Sequence, residues 1–219
     1  MTVLEADRLF RFFHAGGEET VALAGVTLRI EARELVAITG PSGSGKSTLL
    51  NCLAGLDEPD GGTVRIEGVA LTRRPEPERA RLRAQYVGVL WQNGNLVDHL
   101  NVRANLLLAQ RLAGKIDRAR FDELLNRLGL AERATSWPSA LSGGEAARAG
   151  LAVALANDPT VLLADEPTGE LDSTTAGNVV ALLEEHAASG HVVVVVTHSD
   201  AVADLATRVV QLRDGEIVR

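Results

Sequence analysis

The chain lacks a second cysteine. Cys52 stands alone among 219 residues, so no internal disulfide can form, and the cytosol is the compartment this usage points to. It also lacks a basic balance. Lys and Arg number 22 against 29 Asp and Glu, for a formal net charge of -7, which argues against a general nucleic-acid binder. The opening residues, MTVLEADRLFRFF, have no basic stretch followed by an apolar run and a cleavage site, so they are not read as a signal peptide. The longest unbroken run of branched aliphatic residues is Val192–Val196, whereas a membrane span needs roughly 20 apolar residues. Any membrane role is therefore expected to pass through a partner. Long internal repeats, low-complexity segments and sustained heptads are absent as well.

What is present is a globular composition, 46% hydrophobic, at a length that suits one domain with an inserted subdomain. Strand-like pieces crowd the first third: VALAGVTLRI, ELVAIT and TVRIEG, with a turn signal at Gly61-Gly62. From about Asn93 to Asp158 the pattern turns helical, in NVRANLLLAQRLAG, in DRARFDELLNRLGL and again after Ser142. Strand and helix then alternate once more through VLLAD, TTAGNVVALLEEHAA and HVVVVVT. The continuous Val/Leu runs mark strands buried on both faces, as in a parallel sheet. The tail RVVQLRDGEIVR reads as a hairpin closed at Asp214-Gly215. The expected division is an α/β core with a β subdomain over 1–92 and 159–219, and a helical subdomain over about 93–158.

Gly40 to Thr48, GPSGSGKST, satisfy G-x-x-x-x-G-K-[ST] at Gly40, Gly45, Lys46 and Ser47, with Pro41, Ser42, Gly43 and Ser44 between them. Glycines let backbone N–H groups converge on phosphate oxygens, and the following helix points its positive end at the same place. Lys46 would reach the β- and γ-phosphates and the Ser47 hydroxyl would ligate magnesium. A Gly/Ser-rich turn that binds nothing is the alternative, but the motif follows an expected strand and opens an expected helix. Asp165 and Glu166 end the VLLADEP run, where open α/β sheets place their ligands. Asp165 would hold magnesium, and Glu166 would orient or deprotonate the attacking water. His198 follows the valine run in the same manner, and Gln92 ends the short apolar run YVGVLWQN.

Ser142 and Glu145 form S-x-x-E, a capping box. That box does not account for Gly143 and Gly144, which leave the helix tip bare for an anion. In order, GPSGSGKST, Gln92, LSGGE, VLLADEP, ELD and the histidine of VTHSD resemble the nucleotide-binding subunit of an ATP-binding cassette (ABC) transporter, over nearly the whole chain. The resemblance implies a P-loop ATPase fold with a mostly parallel core, an N-terminal antiparallel β subdomain and an inserted helical subdomain. It implies ATP and Mg²⁺ as ligands and a head-to-tail pairing with a second copy or a paralogue. Ser142, Gly143, Gly144 and Glu145 would then act on the nucleotide held by the partner's phosphate loop. It further implies Phe13 (or Phe12) against adenine, Ser47, Gln92 and Asp165 at magnesium, Glu166 as base, His198 at the γ-phosphate and Asp172 linking the two sites. An integral membrane permease at the cytoplasmic face of the membrane is the implied partner, with no nucleic acid.

LLADEPTG with the following LDS resembles the lipoprotein-release and macrolide-export ATPases, and the cell-division ATPase is a near relative. The chain departs from the family at Ala146, Ala147 and Val153, where polar residues are usual, and at Glu170, where a carboxylate near a triphosphate would oppose closure. These departures suggest slow basal hydrolysis that needs the membrane partner. A soluble ABC ATPase would carry a tandem cassette or a long heptad insertion, and a small-molecule kinase would have no use for LSGGE. Leu96, Val97 and Leu100 are candidate contacts for the permease, with packing of the helical subdomain as the competing use.

Overall fold

The structure, a computed structural model, describes residues 1–15, 18–92, 95–169 and 171–218. Parallel strands come from the apolar runs. β3 (Leu35–Thr39), β6 (Val87–Leu90), β7 (Val161–Asp165), β8 (Val192–Val196) and β9 (Arg208–Arg213) lie side by side, and β10 (Glu216–Ile217) closes one edge antiparallel to β9. The order is β10-β9-β3-β8-β7-β6. Asp214 and Gly215 take φ values of 49° and 79°, the positive pair a tight hairpin turn requires.

Alternation along these strands divides two cores. Val192, Val194, Val196, Val161 and Leu163 face one side, and Val193, Val195, Leu162 and Ala164 face the other. The five valines of β8 are 0 to 2% exposed. Each contributes roughly 1.5–3 kcal/mol by leaving water, which is why the run tolerates no polar residue on either face.

Over the first face lies an antiparallel sheet, ordered β2-β1-β4-β5, built from β1 (Thr2–Ala15), β2 (Glu18–Glu31), β4 (Gly61–Ile66) and β5 (Val69–Ala70). Helix α1 (Lys46–Leu53) touches β2, β7 and β8, and its Leu49, Leu50 and Leu53 complete this core. The other face is covered by α3 (Val102–Leu112), α4 (Arg118–Arg127), α5 (Gly143–Leu155) and α6 (Ser173–Ala188). Asn101, Asp117, Ser142 and Asp172 cap these four helices with side-chain acceptors. Helices α3, α4 and α5 all fall between β6 and β7, and the short α7 (Asp200–Ala203) follows β8. Among the described residues, no helix is long and apolar enough to cross a membrane.

Among the elements not expected are β1 and α2. β1 hides its period because the register slips between Ala6 and Leu9, with Arg8 at φ 47°. α2 (Glu76–Tyr86) buries no residue, so no apolar stripe betrays it. Ion pairs of Arg79 and Arg83 with Glu76 brace it, and Arg79 also pairs with Glu58.

Candidate functional site

Because β3, β6, β7 and β8 run parallel, their carboxyl ends open onto one edge of the sheet. The phosphate loop leaves β3 there and turns into α1. Gly45 takes φ +99°, and a Cβ on it would lie 2.3 Å from the carbonyl oxygen of Ala22. Only glycine fits that approach. Lys46 is 7% exposed, and its Nζ donates to the carbonyls of Gly40 and Pro41 at 2.8 Å each. Burial holds its pKa below the usual lysine value, with Glu166 and Asp165 pulling the other way. The neighbouring Ser44 Oγ is buried with no hydrogen-bond partner.

Opposite the loop stand the ends of β7 and β8. Desolvation raises the Asp165 carboxyl, while the Ser47 hydroxyl and the Lys46 charge draw it down. Glu166 adopts φ 47°, a left-handed conformation that costs on the order of 1–3 kcal/mol in a non-glycine residue. Its N–H donates to Val196 O at 2.9 Å, which fixes the turn. The Thr197 hydroxyl donates to Glu166 Oε2 at 3.3 Å. Glu166 Oε1 is buried and has no partner, and His198 Nε2 lies 3.8 Å from it. This is an acceptor taken out of water and left open, at a cost that a ligand-binding function explains.

Lys46, Ser47, Thr48, Asp165, Glu166 and His198 line one cleft of about 550 Å³. Ser42, Gly43, Gly45 and Gln92 line it too, and so does Phe13 at the far end, beside Thr20 and Val21. Phe13 is 43% exposed. Arg11 sits over its ring, 4.7 Å from the centroid, and is itself tied to Asp57 and Asp60 at 2.9 and 3.1 Å. That leaves a braced aromatic shelf. Phe12 is not among the lining residues; its N–H donates to Asp60 Oδ2.

None of Ser142, Gly143, Gly144 or Glu145 lines this cleft, and neither does Asp172. The capping box is formed: Glu145 N–H donates to Ser142 Oγ at 3.3 Å, and Ser142 N–H donates to Glu145 Oε2 at 2.8 Å. Arg133 Nε adds a bond of 2.8 Å to Glu145 Oε1. Both contacts hold the Glu145 carboxyl below the usual carboxylate range, the backbone bond foremost. Ser142 and Gly143 remain exposed, and a Cβ on Gly144 would sit 3.6 Å from Leu171 Cδ2. Asp172 accepts from the N–H groups of Thr174 and Thr175 at 3.0 Å each. Glu170, a departure noted above, lies outside the described residues, as does Asn93.

Sequence reasoning missed Thr197 and Arg133. Thr197 had a signal, a lone hydroxyl closing a valine strand beside His198. Arg133 had none, since it comes from a 3₁₀ turn (Ala131–Arg133) and meets Glu145 only through the fold.

A second, more apolar groove of about 670 Å³ lies between β6, α2 and α5, lined by Leu56, Ala84, Val89, Trp91, Leu112 and Val153 among others. Leu96, Val97 and Leu100 do not line it. Leu96 packs on the helical core, and the Asn105 side chain clasps Val97 N–H and Leu100 O. Of the departures, Val153 thus meets the groove.

Residues 23–169 match the sequence profile of the ABC transporter family. The chain is 44% identical over 220 residues to the macrolide export ATP-binding/permease protein MacB of Shigella flexneri, and 43% identical over 219 residues to MacB of Burkholderia thailandensis. Each alignment covers 99% of this chain and 34% of the relative, so the chain spans about a third of the length of the curated relatives it matches. Among solved structures it overlays a dimeric, post-hydrolysis form of the ATP-binding cassette MJ0796 bound to ADP and Pi. There the TM-score is 0.93 at 36% identity, over 99% of this chain and 97% of the other. An ATP-binding subunit of an ABC transporter matches with a TM-score of 0.85 at 27% identity, over 98% and 88%. With the cleft, its loop and this overlay in agreement, the chain belongs to the ABC transporter family and is an ATPase of that family.

Proposed function

We propose that two copies of this chain, or one copy and a paralogue, enclose two ATP molecules head to tail and use their hydrolysis to drive a membrane permease. The observation that carries this reading is a separation. Lys46, Asp165, Glu166 and His198 share one cleft, while the glycine-bearing tip at Ser142–Glu145 stays outside it on the surface. The tip has the geometry of an anion site and does not line the phosphate cleft of its own chain. The dimeric state of the matching cassette supports the pairing.

Within the cleft the roles follow from the chemistry. Gly40 to Thr48 cradle the phosphates by backbone N–H groups, and Lys46 exchanges its two carbonyl acceptors for phosphate oxygens, which are stronger partners for an ammonium. Phe13 offers its ring to adenine. Ser47, Asp165 and Gln92 would hold Mg²⁺, a hard cation that prefers oxygen donors. The Ser47 hydroxyl, which draws the Asp165 carboxyl down, and the burial of that carboxyl fit that use. Bound there, the cation supplies charge neutralisation on the phosphate oxygens. Glu166 orients the attacking water and accepts its proton at Oε1, the atom without a partner. His198 donates toward the γ-phosphate. Asp172, capping α6 beside Leu171 and Gly144, carries closure at one site toward the other.

The permease docks at the apolar groove beside Trp91, on the cytoplasmic face of the membrane. The division into a core over 1–92 and 159–219 and a helical part over about 93–158 puts that groove at the join. Ala146, Ala147 and Val153 remove polar groups from α5, so basal turnover is slow until the partner is engaged.

Glu166→Gln tests the shared-site reading. Nucleotide binding should survive, hydrolysis should fall about 10²–10⁴-fold, and gel filtration with ATP and Mg²⁺ should show a stable dimer. A variant that binds ATP yet stays monomeric would overturn it.

A further inference from the structure

At the opposite edge of the parallel sheet, three donors gather that the nucleotide site does not use. We infer that Asp158, His186 and His191 form a binding site for a divalent transition-metal cation of the zinc class. One ring nitrogen from each histidine and a carboxylate oxygen of Asp158 lie within 4.8 Å of one another, and among the described residues this is the one such cluster. Asp158 ends the turn after α5, His186 closes α6, and His191 stands one residue before β8. Asp165 ends β7 and His198 follows β8, at the far ends of these five-residue strands, roughly 16 Å away at about 3.3 Å per residue. The cluster is therefore separate from the cleft.

The hydrogen bonds assign which nitrogen of each imidazole keeps a lone pair. His186 Nε2 is 2.9 Å from the carbonyl of Pro159. A carbonyl can only accept, so Nε2 carries the proton and Nδ1 carries a lone pair. The Ser189 hydroxyl donates to His186 O at 2.7 Å, so its oxygen accepts from His191 Nδ1, 2.9 Å away. The lone pair of His191 is then on Nε2. A ligating histidine whose other ring nitrogen donates to a carbonyl or hydroxyl is the arrangement that raises ligand basicity and sets ring orientation. His186 is 7% exposed. The two rings lie parallel, with centroids 4.3 Å apart.

Asp158 is held for the task at φ 51°. Arg120 Nη2 binds its Oδ1 at 3.1 Å, leaving Oδ2 free, while Arg120 Nη1 is neutralised by Glu123 at 3.3 Å. Arg127 is paired with Glu123 and Glu185. Counting Arg120 and Arg127 against Glu123, Glu185 and Asp158, the surroundings carry one net negative charge, which favours a cation. Two imidazoles and one carboxylate suit zinc, cobalt or nickel over magnesium or calcium. Closing to ligand distances of about 2.0–2.2 Å requires half-exposed His191 to turn out of the stack, so that its ring plane meets that of buried His186 at the ion, and exposed Asp158 to swing in. The cavity there, about 380 Å³, is shared by α4, α5 and α6, so a bound ion would clamp the helical part to the sheet.

The test uses the full chain without a histidine tag, with Mg²⁺ in excess to fill the nucleotide cleft, titrated with Co²⁺ or Zn²⁺ alone. One equivalent of Co²⁺ should give visible d–d bands of four-coordinate strength. Zn²⁺ at about 100 times its Kd should raise the thermal midpoint by roughly 5–10 °C. His191→Ala and Asp158→Asn should each weaken binding by more than about tenfold. Ser189→Ala, which unlocks the His191 tautomer and removes the bond to His186 O, should weaken it by about tenfold. Asparagine tolerates the left-handed backbone at 158, so that variant remains folded. No saturable response in wild type, equal responses in wild type and His191→Ala, or a response lost on Asp165→Asn would each overturn the inference.

Discussion

The Thr197 hydroxyl donates to Glu166 Oε2 at 3.3 Å, and Thr197 Oγ1 itself accepts from Ser199 N–H at 3.0 Å. The threonine thus points one oxygen of the carboxylate away and leaves Oε1 for water. It is fully buried, does not line the cleft and positions Glu166 from behind.

Thr197→Val should therefore lower kcat for ATP roughly tenfold with KM little changed, because a hydrogen bond to a charged group contributes about 1.5–3 kcal/mol. Steady-state ATPase assays check this. A matched rise in KM with kcat intact would mean that Thr197 serves binding and not base orientation.

Arg133 and Glu145 give a second expectation. The Arg133 charge offsets a carboxylate that, in the proposed head-to-tail pair, would stand near the partner's triphosphate. The pair is half-exposed on the arginine side, so it contributes little to fold stability. Arg133→Ala should weaken ATP-driven dimerisation by roughly tenfold through like-charge repulsion, with an unchanged thermal midpoint. Adding Glu145→Gln removes the repelling charge and should restore dimerisation. If the double variant is as weak as the single one, Arg133 acts by some other contact.

How far the site could be read in advance depended on whether its chemistry is local. Gly40–Thr48 and the Ser142–Glu145 box are contiguous, and their backbone geometry follows from the residues themselves. Asp165, Glu166 and His198 were legible because each closes a buried apolar strand, and parallel strands bring their ends together. Arg133 was not, since its distance to Glu145 depends on how a 3₁₀ turn packs against α5. The fold divides the same way. The strands β3, β7 and β8 announce themselves by unbroken Val/Leu runs, while β1 loses its alternation at a bulge. α2 has neither an apolar face nor a buried residue. Its only sequence signals are prolines at 75 and 77 and acids in the first turn.

Two glycines should respond in opposite directions. A Cβ on Gly88, in β6, would lie 2.3 Å from Ala154 O and 2.8 Å from Pro159 Cγ. Backbone cannot give way there, so Gly88→Ala should cost about 1–3 kcal/mol or more. Gly177 lies inside α6 with nothing within 4 Å of its Cβ position. Gly177→Ala should stabilise by about 0.8–1.0 kcal/mol through helix propensity. Urea midpoints at constant m-value measure both.

Cys52 makes the last expectation, and its sign can be worked out. It is fully buried, and desolvation, aided by the Asp57 charge, pushes its pKa up to about 12 from 9.0. The folded state keeps the thiol proton that the unfolded state loses above its own pKa, so folding binds the proton more tightly. Stability is intact below pH 9 and declines as pH rises toward the folded value, by about 1.4 kcal/mol per pH unit from this one group. Other groups titrate in that range, so the comparison must be with Cys52→Ala, whose curve lacks this slope while sharing the rest. The same burial should keep Cys52 unreactive toward thiol reagents in the native protein and make it fully reactive in denaturant. Wild type and Cys52→Ala losing stability in parallel between pH 9 and 11 would show that the buried thiol does not hold its proton as its surroundings dictate.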